Sequence, residues 1–377
     1  EASTEIVLEG VPHKMLELSD SLGNVASLFS KMLMNASSSP SYSISGLPLT
    51  TIILPIDELE DKFIDDLLVG YSKYVECTPI PRIGLELIYN PNSHKFGIHS
   101  ERVASNIRLG GVISISKDGT RSNNGVRKSI GDKVSNTVIT LQSLSINLPR
   151  IAYQSNKDET YFRARLAMLI KPALMALSIR KKIITDLILK GTLPIVASSA
   201  KYMEVGIANI IINLAGAREA VYDILGHNAT NNGPEILHKV IKTSVDVAMD
   251  QGKQLGEDTI GVAMINDHGT SRFAPLDSDK YGRSLLLAPK KEYDMYSQGM
   301  LLDSAKILQG EDTIRAIEEF NAIDRLLNGG LSVDIDFSNS TSISDTKKTL
   351  EIASNLNYMR PNLKIKICNT CGKKSTA

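Results

Sequence analysis

Leu144-Ser145-Ile146-Asn147-Leu148-Pro149-Arg150-Ile151-Ala152-Tyr153 is the stretch on which the fold turns. It closes a β-rich run from Thr137 to Leu148. Asp158-Glu159 follow, an acid pair placed where the positive end of a helix dipole favours negative charge. The helical segment starting there extends to about Lys190. Pro172 inside it is expected to kink or split the helix, because proline lacks an amide donor and its ring crowds the preceding turn.

Outward from this stretch, strand and helix signals alternate. Downstream, Val205 to Leu214 is an apolar run long enough for a buried strand, though periodicity alone does not exclude a helix. Helices are expected at Ala217 to Leu225 and Pro234 to Gln254, and a strand at Thr259 to Ile265. Glu311 to Leu327 reads as a helix stopped by Gly329-Gly330, followed by strand Leu331 to Phe337, helix Ser344 to Leu356 and strand Leu363 to Ile367. Upstream, residues 12–36 and Leu59 to Tyr74 carry helical spacing, separated by the Ser-rich stretch Ser37 to Ser45, which reads as a linker. Ile83 to Tyr89 reads as a strand, and Gly110 to Asp132, rich in Gly, Ser, Asn and cations, as a long loop. Such alternation predicts an α/β protein with a mostly parallel sheet or barrel and helices outside. The expected division is an N-terminal helical region over 1–78, an α/β barrel over 79–367 with its loop at 110–136, and a Cys-x-x-Cys tail over 368–377.

Bulk properties exclude several classes. Hydrophobic residues are 42 % and charged residues 22 % of the 377, the balance of an ordinary folded chain. Lys plus Arg equal Asp plus Glu at 42 each, so no global field draws the molecule to a polyanion. No apolar run approaches the roughly 20 residues that span a bilayer. The N-terminus lacks the charge and apolar pattern of a secretory signal; it also lacks Met, so the natural chain is expected to extend upstream. Three cysteines, two of them spaced as Cys368-x-x-Cys371, make no disulfide framework, and a reducing cytoplasm is the expected setting.

The opening stretch is similar to the T-I-N-L-P-R-[IL]-A-Y signature of the anaerobic, class III ribonucleotide reductases, a glycyl radical enzyme family. Gly216 to Val221 resembles that family's G-L-x-E-A stretch. Ser271-Arg272-Phe273-Ala274 with Asp277 and Tyr281-Gly282 resembles its [S/G]-R-F-A-x-x-D segment. Gly329-Gly330 before an apolar strand is like its G-G-x-x-x-H strand, with Asp334 or a neighbour in place of histidine. Cys368-Asn369-Thr370-Cys371-Gly372 resembles the first half of its zinc knuckle. The matches keep the family's order over residues 80–372. The resemblance implies a ten-stranded α/β barrel of two five-stranded halves with a finger loop through the middle, and a homodimer.

It also implies a chemistry that needs sulfur. A glycyl radical oxidises a finger-loop cysteine, whose thiyl abstracts a ribose hydrogen; the weak S–H bond lets a thiol exchange hydrogen with both glycine and sugar carbon. Here Gly119-Thr120-Arg121-Ser122 is similar to the family's G-C-R-S tip, with Thr120 in place of the thiol. No cysteine lies between Cys77 and Cys368, and Cys77 is too far from Asn147 in sequence to be the tip residue. The R-V-x-G-Y radical segment and a second cysteine pair are also missing, which truncation explains, whereas the missing internal thiol has no such explanation.

Each candidate residue has two readings. Asn147 matches the family's active-site asparagine and can hydrogen-bond a sugar or anion, or it is a strand residue held by packing. Arg150 points to a phosphate or is a buried or capping arginine. Lys117, Arg121, Arg127, Lys128 and Lys133 against Asp118 and Asp132 leave the loop a charge near +3, fit to clasp phosphate or simply solvated. Cys368 and Cys371 can ligate zinc, but a structural site takes about four ligands, so a relic turn is the alternative. The six histidines show no ligand spacing, and no Walker A or G-x-G-x-x-G motif occurs. The expected function is a catalytically degenerate reductase-like protein that binds a nucleotide, RNA or a protein partner, with Thr120 and Asn147 as vestiges. The alternatives are an active ribonucleoside-triphosphate reductase with parts supplied elsewhere, and a structural or assembly subunit.

Overall fold

Polar residues placed singly in otherwise apolar strands decide which face of each sheet is which. The computed structural model describes residues 4–7, 25–37, 50–117, 126, 140–192, 209–225, 229–282, 295–339, 342–368, 370 and 373–376. The chain clusters into two compact units: Glu1–Asn123 with Leu301–Phe320 and Val333–Ala377, and Asn124–Met300 with Asn321–Ser332.

In the first unit, strands β1 (Thr4–Val7), β2 (Thr50–Pro55), β3 (Ile83–Tyr89) and β4 (Ile113–Lys117) pair in parallel. Helices α1 (Val25–Ser37), α2 (Asp61–Cys77) and α3 (Lys95–Arg108) connect them. Gly70 lets α1 and α2 meet, since a Cβ there would lie 2.6 Å from the Ala26 carbonyl oxygen. Register places Leu85 opposite Ile113 and Leu87 opposite Ile115 on one face, and Glu86 opposite Ser114 on the other. The polar row continues across β11 (Tyr358–Asn362), antiparallel to β4, and β10 (Val333–Asp336), parallel to β11. Ser116 faces Tyr358, and Asp334 faces Arg360, which it binds at 2.8 and 3.1 Å.

In the second unit, β5 (Thr140–Asn147), β6 (Asn209–Ala215), β7 (Ile260–Met264) and β9 (Gly330–Leu331) form a four-stranded parallel sheet. Helices α4 (Leu148–Ser155), α5 (Glu159–Leu189), α6 (Ala217–Leu225) and α7 (Ala229–Leu255) cross between its strands. The apolar face is the helix side: Leu144 and Ile146 share a recess with residues of α5, and Gly252 of α7 abuts Ile260. Lys181 and Glu257, both nearly buried, pair at 2.8 Å and tie α5 to the end of α7, with Ser178 also donating to Glu257 at 2.8 Å. The opposite face carries Ser145 and Asn213. Val126, within the cationic stretch, is buried there against Ile211, Ala263 and Ile265.

Several expectations are revised. Residues 1–78 are not a purely helical region, because β1 and β2 belong to the larger sheet. Part of the loop expected from 110 is strand, since Ile113–Lys117 pairs with β3 and β11; beyond Lys117 only Val126 of that stretch is among the described residues. Pro172 neither splits nor ends α5, which runs on to Leu189; its ring lies on an exposed face. Leu331 to Phe337 divides into β9 and β10, in different sheets, and β8 (Met300–Asp303) and β11 lay outside the expected strands. In place of one ten-stranded barrel, the described strands form sheets of seven, four and two. Among the described residues no helix is long and apolar enough to cross a membrane.

Candidate functional site

Parallel strands bring their carboxyl ends to one edge, where α/β sheets commonly hold ligands. At that edge of the second unit β5 ends in Asn147, β6 in Ala215 before Gly216, and β7 leads into Asn266 and Asp267. The strand-to-helix turn is built from Asn147 itself. Its Oδ1 accepts the Arg150 backbone N–H at 3.1 Å, capping α4, and Pro149 supplies a residue without an amide where the helix needs none.

The Asn147 Nδ2 donates to Asp277 Oδ2 at 2.8 Å. Asp277 is fully buried on α8 (Phe273–Tyr281) and collects two more donors: Arg150 Nε at 2.5 Å and the Tyr296 hydroxyl at 3.0 Å. Three donors around one carboxylate compensate the cost of burying its charge. Burial, then the Tyr153 hydroxyl, then the Asp277 charge hold the Tyr296 phenol well above its ordinary pKa, so it remains a donor. Tyr281 stacks tilted on Tyr153 and accepts from Gln154 at 3.2 Å. Asn147 and Arg150 are thus joined, as strap and anchor of one buried carboxylate.

A second polar group lies on the face that holds Val126. Ser145 Oγ donates to Asp267 Oδ2 at 2.5 Å and accepts from Asn213 Nδ2 at 3.0 Å. Asn213 also bonds the Ile265 backbone at both ends, 2.9 and 3.2 Å. Gln298 holds the Asp267 N–H at 2.8 Å. Beyond them Gly216, at φ +74°, donates to the Ser297 carbonyl at 2.8 Å, and Ser297 is bound through its N–H and hydroxyl by Glu219 at 3.0 and 2.6 Å. The result is a network of hydroxyl, amide and carboxylate side chains that hold one another across the sheet, with Asn213 fully buried at its centre. Among these side chains there is no thiol.

The other expected residues separate. Lys117 closes β4, and its ammonium donates to the Asn355 carbonyl at 2.7 Å, so it is bound to a turn rather than aimed into a phosphate loop. Thr120, Arg121, Arg127, Lys128 and Lys133 lie outside the described residues. Cys77 is exposed at the C-terminal end of α2. Cys368 is exposed, and Cys371, its partner in the zinc expectation, lies outside the described residues; among those described no three potential ligands gather. Asp334, at the histidine position of the resemblance, is occupied by Arg360. Sequence reading missed Asp277, Tyr296, Asp267 and Asn213 as site residues. The available signal was Asn213, a lone amide inside the apolar run Ile210 to Leu214.

A family model described as anaerobic ribonucleoside-triphosphate reductase matches residues 97–377. No curated protein matches. Among solved structures, the anaerobic ribonucleotide reductase from Thermotoga maritima with glycerol in the active site aligns with a TM-score of 0.65 and 16 % identity, over 97 % of this chain and 64 % of that one. The same enzyme in complex with dATP and CTP aligns with a TM-score of 0.63 and 16 % identity, over 100 % of this chain and 68 % of that one. Another anaerobic ribonucleotide reductase structure gives a TM-score of 0.65 and 16 % identity, over 97 % and 62 %. At such identity the likeness is one of fold, and the chain spans less than two thirds of the first structure's length.

Proposed function

The chain belongs to the anaerobic ribonucleoside-triphosphate reductase family, and within it we propose a member that binds a nucleotide through the retained strand-end framework without reducing it. The observation that carries this reading is the placement of sulfur. Cys77 is exposed on α2, Cys368 is exposed in the tail, and the finger-tip position is Thr120. A threonine hydroxyl cannot replace a thiol, since its O–H bond is too strong to be made and broken in exchange with a carbon-bound hydrogen. Val126 supports the finger reading of the loop expected over 110–136, because it rests on the sheet face that also carries Ser145 and Asn213. The protein works as a homodimer in the cytoplasm. Sedimentation of the purified protein tests the dimer.

Nucleotide binding is tested by titrating the protein with CTP and ATP in a calorimeter. Saturable binding that weakens about tenfold or more in Asn213→Ala, where a buried amide is lost from the polar face, is the expected result. No heat beyond dilution with either nucleotide would discard the reading and leave a structural or assembly role. The rival activity, reduction with the missing parts on another chain, predicts product on addition of that chain.

A further inference from the structure

On the helix side of β5, opposite the face of Ser145 and Val126, lies a recess of about 370 Å³ between β5, α4 and α5. Its walls are largely apolar, with Leu144, Ile146, Leu169 and Ala173 among them, yet two arginines, Arg150 and Arg165, also line it. No carboxylate is among its lining residues. Arg150 spends only its Nε on Asp277, which fixes the plane of the fork; among the described residues nothing accepts from its terminal nitrogens. Arg165 has no hydrogen-bond or ion-pair partner among the described residues. Asp277 answers the charge of Arg150, whereas that of Arg165 stands beside an apolar wall without a counter-ion among the described residues, a cost in a medium that screens less than bulk water. A bound anion removes that cost.

We propose that this recess is a binding site for a small amphipathic anion: a phosphate monoester or carboxylate head held by Arg150 and Arg165, on an apolar body lying along Leu144, Ile146, Leu169 and Ala173. Its volume is at the small end of ligand pockets, about 300–1,000 Å³, enough for one aromatic or short aliphatic group with its head. Arg150 is pre-oriented by a buried carboxylate, and guanidinium geometry suits both phosphate and carboxylate oxygens. The site shares Asn147 and Arg150 with the strand-end framework but differs from the nucleotide reading in its ligand chemistry, since it asks for no sugar.

Isothermal titration of the whole chain with phenyl phosphate, phenylacetate and inorganic phosphate tests it. Phenyl phosphate or phenylacetate should bind saturably and about tenfold or more tighter than inorganic phosphate, because the apolar wall contributes only to the first two. The preference between these two identifies the head group. Arg165→Ala should weaken binding about tenfold or more and Arg165→Glu abolish it, with the unliganded unfolding midpoint unchanged in Arg165→Ala, since the side chain holds nothing in the fold. Equal affinity in wild type and Arg165→Glu, or no saturable binding of either aromatic probe, would overturn the proposal. Because neither probe is a nucleotide, such a failure leaves the nucleotide reading untouched.

Discussion

Asp277 and Arg150 share one contact but not one environment. The carboxylate is fully buried, whereas the guanidinium side chain is 35 % exposed. Removing the arginine leaves a buried charge with two neutral donors; removing the carboxylate charge leaves a cation that reaches water. Arg150→Ala is therefore expected to cost about 3–5 kcal/mol, and Asp277→Asn about 1–3 kcal/mol. Urea denaturation of both variants checks the order, and equal or reversed costs would contradict it. The pair also shows what a sequence can reveal at this scale. Asn147 and Arg150 stand out by motif and by adjacency in the chain. Asp277 stands out as the aspartate of a second motif, but it lies 130 residues from Asn147, and neither motif shows that the two meet.

Elements were legible where periodicity and stop signals coincide. Strand β3, helix α6 and helix α10 (Glu311–Leu326) fall where alternating apolar residues, acid-first starts or Gly-Gly stops place them. Strands β8 and β11 were harder: each is short, and β11 carries Tyr358 and Arg360, whose polarity mimics a loop. Pro172 misled for a related reason: its exposed side of α5 faces water, which can satisfy the carbonyl it strands. Two element-scale predictions follow from close contacts. At Gly216 a Cβ would lie 2.5 Å from the Pro149 ring, and φ is +74°, so Gly216→Ala is expected to destabilise by about 2–5 kcal/mol in thermal or urea unfolding. Lys181→Met strands Glu257 and should cost about 3–5 kcal/mol; adding Glu257→Leu should restore most of it, and a double variant no better than the single would refute this account of the α5–α7 tie.

For the whole molecule, burial sets the alkaline limit of the fold. Tyr71, Tyr296 and Tyr358 all have phenol pKa values raised above the ordinary 10.0, in each case chiefly by desolvation. The native state favours the protonated phenols. Their contribution is complete below about pH 10, where unfolded tyrosine titrates, and is lost as pH rises toward the folded values. Unfolding free energy should fall as pH rises above about 10, and phenolate absorbance should show these three ionising only with unfolding. Early titration of all tyrosines with the fold intact would contradict the buried assignment. The family itself was legible because its motifs survive in order at strand ends and turns, where backbone geometry restricts the choice of residue. What the polar face now binds is less legible, since side chains there come from strands far apart in sequence.

Whether any thiol of this chain still reacts is decided by anaerobic turnover of the protein with a ribonucleoside triphosphate and an activase. Bound nucleotide, no deoxyribonucleotide and no difference between wild type and Cys77→Ser is the expected result. Deoxyribonucleotide formed by the wild type and abolished in Cys77→Ser would contradict it.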